Sequence, residues 1–129
     1  MVTDADLSDG YWNEFARSRG DRAERLAAER SMASTEAVDD RVEAGADGIV
    51  DLLTLLANRA PDPQAESLAW LGAGPVEELL NHHAARFIDE IDAAARTNER
   101  FRYSLSCAWF DDSIDPALAQ RLRRFGDSP

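Results

Sequence analysis

At 129 residues, 44% hydrophobic and 30% charged, with five Phe, three Trp and two Tyr, the chain is sized for one globular domain around one core, which excludes global disorder. Its 25 acidic residues face 14 arginines and no lysine, a net charge of −11 spread as −6 over residues 1–48 and −5 over the rest; this field disfavours nucleic acid and anionic membranes and suits a basic partner. A single cysteine, Cys107, excludes an internal disulfide, and the longest apolar run, IVDLLTLLA at 49–57, falls far short of the ~20 residues of a membrane span; with no basic start before an apolar stretch, a cytoplasmic protein without membrane attachment is expected.

The apolar periodicity is helical almost throughout, and no segment alternates as a strand does. Thr3 and Asp6 form a capping box ahead of Leu7, Tyr11 and Phe15, which predicts a first helix ended by Gly20. Residues 21–44 are the least defined by pattern: Ala23, Leu26, Ala27 and Met32 make a thin stripe before Val38 and Val42 lead into a break at Gly45 and Gly48. Ile49, Leu52, Leu53 and Leu56 then mark a central core helix. Asp62 as cap and Pro63 at the first position start a short helix ending near Gly72.

The longest helix is expected from Pro75, capped by Gly74, with Glu77 and Glu78 opposing its dipole. Those two glutamates and the missing P-loop spacing make GAGP a joint between helices rather than a phosphate loop. His83 lies on the apolar stripe with Val76, Leu79, Leu80, Phe87, Ile91 and Ala94, whereas His82 lies off it, with Glu78 and Arg86 as its i±4 neighbours. Asn98 caps a helix carrying Phe101, Leu105, Ala108 and Trp109 on one face; Asp115 and Pro116 start the last, with Leu118, Leu122 and Phe125, and 126–129 form a short tail. Trp12, Trp70 and Trp109 are expected in the core or between helix pairs, and Cys107 as a buried thiol. The reading is all-α: a single domain over 1–129 of about six or seven antiparallel helices, in HEAT-like hairpins or an irregular bundle.

The stretch LAWLGAGPVEELLNHHAARFIDEIDAAARTNERFRYSLSCAWF resembles the bacterial family catalogued as domain of unknown function 6869, over roughly residues 65–110, with support from YWNEF near the start. Gly74, Pro75, Glu77, Leu79, Leu80, His83, Phe87, Ile88, Asp89, Phe101, Arg102, Leu105 and Trp109 fit the family pattern, while Val76, Glu78 and Ala84 depart from it. The resemblance implies a small, repeat-like helical domain of bacterial source and favours His83 over His82. It brings no activity, and a half-buried imidazole bonded to a backbone carbonyl or a carboxylate would satisfy it.

Two functional expectations follow. The first is an interaction module, like small immunity proteins and antitoxins, that meets a basic partner through Asp39, Asp40, Glu43, Asp111 and Asp112. The second is a small-molecule binder or enzyme using Glu77, His83 and Asp89, which needs another helix to bring those residues together. A metal site is set aside: Glu78 and His82 are one residue too far apart for a helix-borne Glu-x-x-His pair, and His82 and His83 point about 100° apart. No metal or other cofactor is therefore expected.

Overall fold

A computed structural model of the chain describes residues 3–18, 22, 32–61, 65–109 and 116–126. Among them every regular element is helical: α1 (Asp4–Ser18), α2 (Ala33–Ala44), α3 (Ile49–Asn58), α4 (Ala65–Leu71), a wide π-type turn (Gly72–Val76), α5 (Glu77–Thr97), α6 (Glu99–Ser106) and α7 (Pro116–Gly126). That is seven helices, or six where α4 and α5 count as one helix bent at the turn. The fold is all-α.

The capping box forms as expected: the Asp6 N–H donates to Thr3 Oγ1 and the Thr3 N–H to Asp6 Oδ2, each at 3.1 Å. These bonds from Thr3 hold the Asp6 carboxyl below its usual range. Leu7, Tyr11 and Phe15 are buried, and Trp12 widens the stripe, its indole N–H donating to Leu56 O at 2.9 Å. The start of α2 has no capping side chain of its own. Glu14, buried in α1, does that work, accepting from the N–H groups of Ser34 at 3.1 Å and Thr35 at 3.0 Å.

At the far end of α2, Gly45 takes φ +61, and bonds from Gly45 N–H to Val42 O and Ala46 N–H to Arg41 O close the last turn. The core runs through α3, where Ile49, Leu52, Leu53 and Leu56 are at most 1% exposed, and continues through Leu71, Leu79, Leu80, Ile91 and Phe101. The short α6 touches α3, α4, α5 and α7, while α1 packs on α2 and α3 and α2 packs on α5, which makes an irregular bundle. Gly72 permits the approach of α6: a Cβ there would lie 2.0 Å from Ser104 O. The Ser104 hydroxyl completes the crossing by donating to Leu68 O at 2.9 Å.

The joint falls at Gly74, as expected, with φ −107 and ψ −105, but the turn carries Pro75 inside it instead of restarting a helix there. Asn98 caps α6 by accepting from the Phe101 N–H at 3.0 Å. Two tryptophans lie outside the core, Trp70 between helices and Trp109 in solvent. Trp70 is 43% exposed because it ends α4 at the rim, where Phe15 meets it edge-on, and Trp109 is 68% exposed because it lies past the end of α6. Cys107, in the same exit, is half-buried rather than enclosed. The expectations at Gly20, Ala23, Leu26, Ala27, Asp62, Pro63, Asp111, Asp112 and Asp115, and for the side chain of Phe125, lie outside the described residues.

Candidate functional site: an acidic cleft between two helices

Helical spacing puts Asp39 and Glu43 one turn apart on α2, and Glu78 and His82 one turn apart on α5. The two pairs face each other across a cleft of about 460 Å³ that has Gly74 in its wall. Nothing lies within 4 Å of where a Gly74 Cβ would stand, so the joint leaves this wall open. His82 Nε2 sits 3.1 Å from Glu78 Oε2. The Asp39 carboxyl is held above its usual range, first by the water it loses against the cleft wall and then by the negative charges of Glu78, Asp40 and Glu36. Among the described residues, no group of three or more His, Cys, Asp or Glu side chains is arranged to hold a metal ion.

A separate set of contacts holds α5 against α2. His83 donates from Nε2 to Glu43 O at 2.8 Å, and since a carbonyl only accepts, that nitrogen carries the proton. Arg86 donates to Gly45 O at 2.7 Å and pairs with Asp47 at 3.0 Å, with its guanidinium 4.8 Å from the Phe87 ring centroid. Both side chains meet the negative end of α2, where orphan carbonyls favour donors. At His83 the backbone leaves helical geometry, with φ −140 and ψ 25, so α5 bends where it grips α2. His83 is thus the half-buried, carbonyl-bonded imidazole that the family pattern allowed, and His82 is the histidine that lines the cleft.

Glu77, His83 and Asp89 each engage a different neighbour. Glu77 Oε1 accepts from the Trp109 N–H at 2.7 Å, His83 holds Glu43, and Asp89 pairs with Arg121 of α7 at 2.9 Å. Beside Asp89, the sequence reading missed Asp92, a buried carboxylate that accepts from Arg96 at 2.6 Å and Arg121 at 2.8 Å. Of the expected partner residues, Asp39 and Glu43 line the cleft and Asp40 is exposed beside them on α2. Glu78 and His82 were legible as a pair on one helix face. Their meeting with α2 was not, because nothing local encodes which helices will face each other.

Beyond the geometry, the chain matches a family of unknown function, DUF6869, over residues 21–128. The chain belongs to that family. The DUF6869 match is longer than the stretch of resemblance at 65–110, and it takes in both walls of the cleft. It leaves out α1, although in this chain Trp12 and Glu14 of α1 bond to Leu56 and Ser34 of the matched part. No curated protein and no solved structure matches the chain. No described helix is long and apolar enough to cross a membrane.

Proposed function

We propose that the protein is a binding module for a basic protein, docked along the acidic face of α2 and the cleft beside it, in the manner of an immunity protein or antitoxin working in the cytoplasm of a bacterium. One observation carries the reading: the described arginines are largely spent inside the molecule, while among the described residues the cleft carboxylates Asp39 and Glu43 have no ion-pair partner and Glu78 has only His82. Arg41 pairs with Asp4, Arg59 with Asp9, Arg86 with Asp47, and Arg96 and Arg121 with Asp92, while Arg100 and Arg102 donate to backbone carbonyls. Glu36, Asp39, Asp40 and Glu43 fall on one stripe of α2 at three- and four-residue steps, with Glu78 opposite the stripe's inner edge. Concentrating charge this way speeds encounter with a basic surface and fixes its register. The alternative reading, a small-molecule site or enzyme around Glu77, His83 and Asp89, has no comparable support, since each of those side chains is bonded to a different part of the chain.

The test is an affinity pull-down of tagged protein from its native host, identified by mass spectrometry, beside a folded Asp39→Asn, Glu43→Gln, Glu78→Gln variant. A stoichiometric basic protein retained by the wild type and lost by the variant is the expected result. Retention indifferent to the three substitutions, or an empty pull-down, would overturn the reading.

A further inference from the structure

Trp109 combines two properties that rarely coincide. Its side chain is the most exposed of the large apolar residues described, at 68%, yet its backbone is gripped at both ends. Its N–H donates to Glu77 Oε1 at 2.7 Å, and its carbonyl accepts from Asn81 Nδ2 at 3.4 Å. Glu77 and Asn81 are one turn apart on α5, so a single helix face holds the segment leaving α6. An indole presented on a backbone already ordered loses little further freedom when it docks, and tryptophan is the residue type most enriched among interface anchors.

The same grip sets a carboxylate against the Trp109 backbone, at the root of the indole side chain. Glu77 gives one oxygen to the Trp109 N–H, and its other oxygen is bonded to nothing among the described residues. A guanidinium has both a plane to stack on an indole face and donors for a carboxylate, whereas an ammonium is a compact charge with no plane to stack. Glu78, the next residue of α5, carries the negative charge on into the cleft. We infer that Trp109 and Glu77 form an arginine-reading anchor beside the acidic cleft, an inference that rests on the basic-partner reading and adds the side chain by which the partner is recognised.

The test uses the full-length protein and two blocked nonapeptides of identical spacing, one with three arginines and one with three lysines, followed through the indole N–H resonances of the three tryptophans. The arginine peptide is expected to shift the Trp109 resonance and to bind about fivefold more tightly than the lysine peptide. Trp109→Leu should abolish that preference. Glu77→Gln, which keeps an acceptor for the Trp109 N–H while removing the charge, should reduce the preference without displacing the segment. Equal affinity for the two peptides, a preference that survives Trp109→Leu, or no binding of either peptide would overturn the anchor. The charged-face reading is judged separately: if Asp39→Asn, Glu43→Gln, Glu78→Gln weakens both peptides alike while Trp109→Leu changes nothing, the anchor fails and the acidic face stands.

Discussion

Glu14 illustrates what a single side chain contributes here. Removing it leaves the first turn of α2 with two N–H groups that have lost their acceptor, so Glu14→Ala is expected to cost about 1–2 kcal/mol in urea unfolding, and Glu14→Gln, which keeps an acceptor oxygen, clearly less. Asp39 and Asp92 respond to pH in opposite senses. The folded state raises the Asp39 carboxyl above its unfolded value, so its favourable contribution is complete below about pH 4 and is lost as pH rises through the raised value. Asp39→Asn should therefore stabilise the protein at neutral pH and lose that advantage in acid. Asp92 is held below its usual range, chiefly by the Arg96 bond opposing its burial, with Arg121 adding to it. Its contribution is present above about pH 4 and disappears as pH falls through the lowered value, so Asp92→Asn should flatten the acid limb of a stability–pH curve. An acid limb of unchanged steepness would contradict that assignment.

At the scale of elements, two glycines set how helices meet, for different reasons. Gly45 is needed for its backbone, since at φ +61 a side chain is strained, and a Cβ would also press on His83 at 3.0 Å. Gly72 is needed for space, because its Cβ would collide with Ser104 O, and a backbone oxygen cannot swing away as a side chain can. Gly72→Ala is expected to lower stability by about 1–3 kcal/mol through displacement of α6, readable as a lower melting temperature with weaker packing of Phe101 and Leu105. The break at Gly45 was legible in the sequence, because glycine at the end of an apolar period is a local mark. The need for Gly72 was not: it looked like a helix end, and what it accommodates is a carbonyl 32 residues away.

For the whole molecule, the arrangement of charge matters more than its sum. The arginines tie α1 to α2, α5 to the loop after α2, and α7 to α5, which leaves the outer face of α2 acidic without making the bundle repel itself apart. The status of α1, outside the family match, is open to direct measurement. It buries Leu7, Tyr11, Trp12 and Phe15, and at about 1.5–3 kcal/mol for each buried side chain its removal rivals the roughly 5–15 kcal/mol that keeps a domain folded. A chain starting at residue 21 is expected to lose its cooperative thermal transition by circular dichroism. A truncated chain that still melts sharply would show that residues 21–129 hold their core without α1.

By itself the sequence determined the helical class, the first capping box, the joint at Gly74, the cap at Asn98 and the stripes of Leu7, Tyr11 and Phe15 and of Ile49, Leu52, Leu53 and Leu56, because periodicity, capping and glycine breaks act within a few residues. Only the tertiary structure decided that Glu14 would cap another helix, that His83 would hold a carbonyl while His82 lined a cleft, and that Trp109 would stand in solvent. Those outcomes depend on which helix faces come together, and that is settled by packing the whole core at once, through contacts between residues tens of positions apart.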